Sequence, residues 1–197
     1  MTGSHPPPLV LASTSRYRRE LLARLRLPFA CDAPGVDEDA VKRSLAAPEA
    51  VVRELARQKA QAVATRRPDA IVIGSDQCAC LDGLVLDKPG SAPAAIAQLQ
   101  RLAGREHELL TAVAIVHPGG FIEFTDRTRL RMRSLTADEI ERYVAAEEPF
   151  DCAGGYKVEG LGITLFERID AADQTAIMGL PLLRVCAELR RLGLPLP

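Results

Sequence analysis

The feature that most constrains the fold is a short apolar run at residues 70–74, Ala-Ile-Val-Ile-Gly. Its β-branched residues favour a strand, and the lack of polar alternation predicts that both faces of this strand are buried. Such a strand needs other elements packed against its sheet. The chain supplies them, because helical patterns are present at residues 16–25, 48–66, 91–103, 136–146 and 181–192.

Two hairpins determine the predicted type of sheet. Residues 78–81 and 84–86 flank Asp82-Gly83, a pair that favours a tight turn of type I′. A second hairpin joins residues 109–116 to residues 121–133. With further strands at residues 9–12 and 163–169, the sequence predicts an α/β fold whose sheet is mixed rather than purely parallel.

Length and charge exclude several classes of protein. The 197 residues suffice to bury a core, in one domain or in two lobes that share one. With 25 basic and 26 acidic residues, the formal net charge is -1, which argues against a nucleic-acid polymer as partner. No apolar stretch approaches the ~18–20 residues of a membrane span. Residues 1–8 lack the pattern of a secretory signal and are predicted to be a disordered lead.

The five cysteines are scattered and form no CxxC pair, which favours free thiols in a reducing cytoplasm.

Four arginines alternate with other residues towards the end of the second hairpin, and this period of two places them on one face of a strand. The simpler interpretation is a solvated face, and the alternative is a surface for nucleic acid. These residues are Arg127, Arg129, Arg131 and Arg133.

A hydroxyl-rich turn at residues 13–15 joins the first strand to a helix that begins with three arginines among residues 16–19. The free N–H groups and positive dipole end of such a helix suit a phosphate group. No glycine lets the backbone wrap phosphates, so the segment is not a P-loop. From these residues alone, phosphate binding and a solvated basic helix start stay open.

Polar residues follow the apolar run at residues 74–77, where Asp76 could be a general base or a metal ligand, or could stabilise a turn. Two further polar pieces, residues 36–38 and 87–89, could converge with it. A glycine-rich segment at residues 152–166 carries Tyr, Lys and Glu side chains. It could be a flexible loop that closes over a ligand, or a long irregular connection.

Taken together, these segments resemble the Maf family of nucleoside triphosphate pyrophosphatases. The resemblance implies a Maf/ITPase-like α/β fold, elongated, with helices flanking a mixed sheet and two lobes around a central cleft. It also implies one catalytic domain at residues 9–194 and a homodimer. Seven blocks in the family's order carry it: residues 12–22, 36–38, 55–60, 73–77, 88–89, 153–160 and 179–181.

The implied reaction is metal-dependent hydrolysis between the α and β phosphates of a nucleotide, which yields a monophosphate and pyrophosphate. Asp76 matches the family's proton acceptor, and Glu38 with Asp76 would hold a divalent cation. Carboxylate and phosphate oxygens suit Mg²⁺ or Mn²⁺. The residues that would contact the triphosphate are Ser13, Arg18, Lys59 and Lys88.

Three positions resemble markers of substrate choice within the family: Tyr17, Gln77 and Glu159. The branch that prefers dTTP and UTP tends to carry Arg, Thr and Gln there, whereas an aromatic, Gln and Glu resemble the branch that hydrolyses 7-methyl-GTP. N7-methylation makes guanine cationic, so stacking on Tyr17 would add a cation–π attraction of ~0.5–2 kcal/mol. Glu159 could accept hydrogen bonds from the guanine edge, with Gln77 in support.

Two alternatives remain beside a 7-methyl-GTP pyrophosphatase that removes a modified nucleotide from the pool. One is a dTTP/UTP or broad-range nucleotide pyrophosphatase. The other is a non-catalytic nucleotide-binding regulator of cell division, although such a protein needs no general base like Asp76.

The chain also departs from the family at Arg16, where many relatives have proline, and at Asp87, where many have glycine.

Overall fold

The computed structural model describes residues 6–197, so residues 1–5 of the predicted lead lie outside it. The described residues form seven strands and seven α-helices, together with two short 3₁₀ helices at Ala153–Gly155 and Leu161–Leu165. The strands are β1 (Leu9–Ala12), β2 (Phe29–Cys31), β3 (Ile71–Leu81), β4 (Leu84–Leu86), β5 (Glu106–His117), β6 (Gly120–Met132) and β7 (Phe166–Asp170). The helices are α1 (Arg16–Ala23), α2 (Glu38–Ser44), α3 (Pro48–Ala64), α4 (Ala92–Leu102), α5 (Ala137–Glu147), α6 (Gln174–Ile177) and α7 (Leu182–Arg191).

All seven strands belong to one sheet, in the order β2-β1-β3-β5-β6-β7, with β4 paired to β3. β1 runs parallel to both β2 and β3, and its residue Ala12 pairs with Gly74. The pairs β3–β4 and β6–β7 are antiparallel. The predicted α/β fold with a mixed sheet is therefore confirmed.

β3 is buried on both faces, as its composition predicts. Ile71 and Ile73 belong to a cluster that includes Leu21 of α1 and Val185 of α7. Val72, on the opposite face, packs in a second cluster with residues of α3. The alternation of side chains along a strand therefore directs Val72, Gly74 and Asp76 towards α3.

The prediction that this strand ends at Gly74 is wrong, because β3 continues to Leu81. Residues 74–77 lie inside the strand rather than after it. Gly and Asp are disfavoured in strands, which is why the pattern indicated an end there. Tertiary partners compensate: Ser75 Oγ donates to the carbonyl of Gly179 and Asp76 accepts from Lys59.

All five predicted helices are confirmed, and several have sequence signals at their ends. Ser15 and Ser91 cap α1 and α4 with their side chains, and α5 begins with the capping box of Thr136 and Glu139. The predicted strand at residues 163–169 begins only at Phe166, because a 3₁₀ helix precedes it. β2, α2 and α6 were not predicted, since elements of three to seven residues carry little periodicity.

The chain divides into two compact units. The first comprises the described chain up to Asp76 together with Thr111–Asp126 and Asp173–Pro197. The second comprises Gln77–Leu110 and Arg127–Ala172. The single catalytic domain at residues 9–194 stays a prediction.

The arginine row on β6 has the predicted solvated character. Arg127 and Arg129 both pair with Glu108, and Arg131 pairs with Glu167. These three arginines are exposed, so the row forms ordinary surface ion pairs.

All five cysteines are free, and no helix in the described chain is long and apolar enough to cross a membrane.

Candidate active site

A buried cluster of opposite charges lies in the first unit. Lys59 Nζ on α3 is 2.7 Å from Asp76 Oδ1 on β3 and 2.6 Å from Glu38 Oε1 on α2. Lys59 is 6% exposed and Asp76 is 8% exposed, whereas the Glu38 side chain is about half-exposed. One ammonium group therefore serves two carboxylates, and its burial strengthens both interactions.

Close packing of α3 on β3 creates this contact. Gly74 and Asp76 share the face of β3 that points to α3. A Cβ atom at Gly74 would lie 2.4 Å from the carbonyl oxygen of Ala56 and 2.6 Å from the amide nitrogen of Ala60. Glycine at this position therefore lets the helix approach closely enough for Lys59 to reach Asp76.

Glu38 is held by the start of α2. Asp37 caps this helix, because its side chain accepts a hydrogen bond of 3.0 Å from the Ala40 amide. Val41 of α2 packs against Val51 and Leu55 of α3, which fixes α2 beside the helix that carries Lys59. Asp37 thus has a structural role. Within residues 36–38, it is the side chain of Glu38 that reaches the charged cluster.

Arg18 on α1 adds a second cation. Its Nε donates to the carbonyl of Gly179 at 3.0 Å, and Ser75 Oγ donates to the same oxygen at 2.9 Å. Burial lowers the pKa of Arg18, while the charges of Asp76 and Glu38 raise it. The net effect is a pKa below the usual range of arginine, with burial as the largest cause.

The Gly179 carbonyl that accepts from Arg18 lies in the segment of residues 173–183. This segment is stabilised by hydrogen bonds that sequence reasoning did not identify. Asp173 caps α6 and also accepts from the Leu183 amide at 2.7 Å. Gly179 has φ of +101°, and a Cβ there would lie 3.3 Å from Arg18 Nε. The Gly-Leu-Pro block at residues 179–181 was the available signal, but it did not indicate that Gly179 would hold Arg18.

The hydroxyl-rich turn borders a cavity of about 240 Å³. Ser13 is buried, and its Oγ accepts a hydrogen bond of 3.1 Å from the Ser15 amide. Ala12 pairs with Gly74 in the sheet, and Ser13 is the next residue after Ala12. Ser13 therefore lies at the end of β1, next to the part of β3 that carries the charged cluster. The cavity is lined by Ser13, Thr14, Ser15, Arg16, Arg19, Cys31 and Ala33.

Tyr17 is half-buried. Its ring contacts Arg16, one of the two positions at which the chain departs from the family. The Arg16 guanidinium carbon lies 4.8 Å from the ring centroid, and Arg16 Nη2 donates to the Tyr17 hydroxyl at 3.2 Å. This cation–π contact places the flat guanidinium of Arg16 on the Tyr17 ring.

The remaining predicted residues belong to the second unit. Gln77 is half-buried in β3, Lys88 is exposed after β4, and Glu159 is exposed in a turn at residues 158–160. At the departure position, the carbonyl of Asp87 accepts from Gln98 Nε2 at 2.7 Å. The contacts in the structure thus unite Lys59, Asp76 and Glu38 directly, with Arg18 in electrostatic reach.

The donor chemistry of the cluster fits a small divalent cation. Glu38 and Asp76 supply carboxylate oxygens, which Mg²⁺ and Mn²⁺ prefer. Within residues 6–197, no group of three or more His, Cys, Asp or Glu side chains could hold a metal.

The likeness to a solved structure concerns the fold. The structure of the Staphylococcus aureus Ham1 protein matches with a TM-score of 0.53, covering 93% of this chain and 99% of that protein. The two sequences are 16% identical, so the match supports the predicted type of fold alone.

Sequence comparisons are more specific. Residues 8–192 match the family described as Maf-like protein. A relative from Xanthomonas campestris pv. campestris (strain 8004), named 7-methyl-GTP pyrophosphatase, is 52% identical over 192 residues, which cover 97% of this chain and 99% of the relative. A relative of the same name from Albidiferax ferrireducens is 48% identical over 188 residues and 94% of each chain. With its family match and this identity over nearly its whole length, the chain belongs to the Maf family.

Proposed function

We propose that this chain is a nucleoside triphosphate pyrophosphatase that hydrolyses 7-methyl-GTP to 7-methyl-GMP and pyrophosphate. The observation that carries the proposal is the buried contact of Lys59 with Asp76 and Glu38. It is supported by relatives about half identical in sequence and named 7-methyl-GTP pyrophosphatase.

The first task of the site is to bind a polyanion. A triphosphate carries several negative charges, and buried cations offset them more strongly than exposed ones. Lys59 and Arg18 are the cations of the cluster, and Ser13 offers a hydroxyl at the end of β1. Lys88, exposed in the second unit, is assigned a phosphate contact by the family resemblance.

Asp76 is the proposed general base. In the structure its Oδ1 accepts from Lys59, so binding of the phosphates by Lys59 would release this oxygen. The carboxylate then takes a proton from water as the water oxygen forms a bond to the α phosphorus. The bond from that phosphorus to the oxygen bridging the β phosphate breaks, and pyrophosphate leaves.

Glu38 and Asp76 are the residues that would hold Mg²⁺ or Mn²⁺. When bound, such a cation supplies further charge to the phosphates and polarises water. Glu38 is about half-exposed, so its carboxylate is able to turn from Lys59 without unpacking the core. Lys59, once on the phosphates, would leave both carboxylates accessible.

Recognition of the base is assigned to Tyr17, Gln77 and Glu159. The Tyr17 ring already carries the Arg16 guanidinium, and the proposed role requires cationic 7-methylguanine to use this ring. The exposed carboxylate of Glu159 would accept from N1–H and N2–H₂ of the base and complement its charge. Gln77 would support these contacts.

The test is pyrophosphate release by the purified chain with 7-methyl-GTP, with and without Mg²⁺ or Mn²⁺. We expect release that requires the metal and that Asp76→Asn reduces by about 10²–10⁴-fold, the usual contribution of a general base. Nucleotide binding should persist in Asp76→Asn, which also excludes loss of the fold. Undiminished turnover in Asp76→Asn would contradict the mechanism, and binding without any turnover in the wild type would favour a regulator.

A cytoplasmic homodimer is part of the same proposal: the dimer rests on the family resemblance, and the cytoplasm on the five free cysteines. Light scattering of the purified chain, with a monomer mass of 21.3 kDa as reference, tests the oligomeric state. A monomer across micromolar concentrations would contradict it.

A further inference from the structure

Glu159 lies at the tip of a tightly closed turn. The amide of Gly160 donates to the carbonyl of Lys157 at 3.1 Å, and this bond closes residues 157–160 into a β-turn. The chain then folds back so closely that a Cβ at Gly162 would lie 2.3 Å from the carbonyl oxygen of Lys157. The Glu159 side chain remains exposed.

Both sides of this turn are attached to α5. On the first side, the amide of Lys157 donates to the hydroxyl of Tyr143 at 3.0 Å. On the second side, the amide of Leu161 donates to Glu147 Oε2 at 2.8 Å. The Glu147 carboxylate also lies against the backbone of Gly160, where a Cβ would be 2.8 Å from Oε2.

A third attachment joins the turn to the end of the helix. Lys157 Nζ donates to the carbonyls of Glu147 and Glu148, at 2.9 and 3.4 Å. Glu148, the residue that caps α5, has a left-handed backbone with φ of +45°, and Lys157 satisfies carbonyls that a helix end leaves unpaired. The turn and the C-terminal end of α5 therefore form one hydrogen-bonded structure.

We infer that Glu147 is a positioning residue for Glu159, which makes the end of α5 part of the determinant of base specificity. The inference rests on the proposed role of Glu159. Glu147 accepts from the residue two positions after Glu159 and abuts the residue directly after it, so it fixes the backbone that aims the Glu159 carboxylate. A turn held before binding loses less entropy when the base arrives.

The matched variants are Glu147→Ala, Glu147→Gln and Glu148→Ala. Glu147→Ala removes the acceptor for the Leu161 amide, whereas Glu147→Gln keeps an oxygen acceptor and removes only the charge. Glu148→Ala removes a charge at the same helix end, from an exposed side chain, and leaves its carbonyl in place. The readout is kcat and KM for 7-methyl-GTP and for UTP, whose base lacks the guanine N2–H₂ group.

We expect Glu147→Ala to lower the ratio of kcat/KM for 7-methyl-GTP over UTP by about tenfold, mainly through KM, as the loss of one hydrogen bond to a charged acceptor predicts. Glu147→Gln should stay within about threefold of the wild type, and Glu148→Ala should match it. An equal loss with both nucleotides in Glu147→Ala would mean a merely structural role and would overturn the inference.

Glu159→Gln, alone and combined with Glu147→Ala, separates the two proposals. If Glu147 acts through Glu159, Glu147→Ala should change the ratio little once Glu159 is replaced. A full additional loss in the double variant would overturn the positioning role. An unchanged ratio in Glu159→Gln would instead show that Glu159 does not read the base, which is a failure of the proposed function itself.

Discussion

The two units bury different kinds of polar residue. The first unit buries ions: Lys59 and Asp76 are in contact beneath Glu38. The second buries neutral rings: His107 is 2% exposed, and its Nε2 lies 2.8 Å from the hydroxyl of Tyr156, which is also buried. Phe166 packs against both rings.

Burial itself keeps the second group uncharged. It lowers the pKa of His107 from 6.5 to about 4, and it raises the pKa of Tyr156 and of Tyr143 above that of free tyrosine. Removing ions from water costs several kcal/mol each, so a fold that only needs shape does better with neutral groups. The buried ion pair of Lys59 and Asp76 therefore marks the place where a charged substrate is expected, and the neutral rings mark scaffold.

The largest expected effect follows from Lys59→Met. It leaves Asp76 buried without its cation, which should cost about 3–5 kcal/mol of unfolding free energy and remove a phosphate contact. Urea unfolding measures the first quantity, and pyrophosphate release measures the second. Adding Asp76→Asn to Lys59→Met should recover much of the stability but no activity. Wild-type stability and turnover in Lys59→Met alone would contradict the contrast between the two units.

Gly74→Ala tests the same contact without changing any charge. The new methyl group would lie 2.4 Å from the Ala56 carbonyl oxygen, so α3 must move away from β3. We expect a loss of about 3 kcal/mol in unfolding free energy, together with reduced activity. Gly119→Ala is the control, because its Cβ would meet only the movable ring of His117, at 3.3 Å. Equal effects of the two substitutions would contradict the close-packing argument.

The second unit should show a pH dependence of stability. Because the pKa of His107 is lowered in the fold, the unfolded chain binds this proton first as the pH falls. The contribution is complete above about pH 6.5 and is lost as the pH falls from 6.5 towards 4, by at most about 3 kcal/mol. Unfolding free energies of the wild type and His107→Gln should therefore differ in slope between these pH values. Parallel pH profiles would show that His107 is not held neutral.

Arg129→Met should have the smallest effect. This arginine is exposed and lies 3.7 Å from Glu108, which also pairs with Arg127. We expect a change in unfolding free energy within about 0.5 kcal/mol and unchanged turnover. A loss approaching that of Lys59→Met would show that burial does not distinguish the two kinds of ion pair.

Local patterns predicted much of the fold, because each confirmed element carries its own signal. The capping box at Thr136 and the apolar periodicity of α3 are examples. Extent was harder to predict: β3 passes through residues 74–77, whose polar groups find partners only in the folded chain. Propensity describes a residue and its neighbours, and such partners are distant in sequence.

The charged cluster illustrates the same limit. Glu38, Lys59 and Asp76 come from three separate elements, and no spacing rule brings them together. Family resemblance named them, and Gly74 explains physically how two of them meet. The glycine-rich segment at residues 152–166 shows the converse, since its composition suggested flexibility. Glu147 and Tyr143 attach the part of it that carries Glu159 to α5, and neither residue belongs to the segment.

The most direct test is a competition in which the purified chain meets equal concentrations of 7-methyl-GTP, GTP, dTTP and UTP with Mg²⁺. The ratio of monophosphate products gives the ratio of kcat/KM values. The proposed function predicts that 7-methyl-GMP forms fastest in the wild type and that Asp76→Asn forms almost none of the four products. Faster formation of dTMP or UMP by the wild type, or products formed at the same rate by Asp76→Asn, would contradict it.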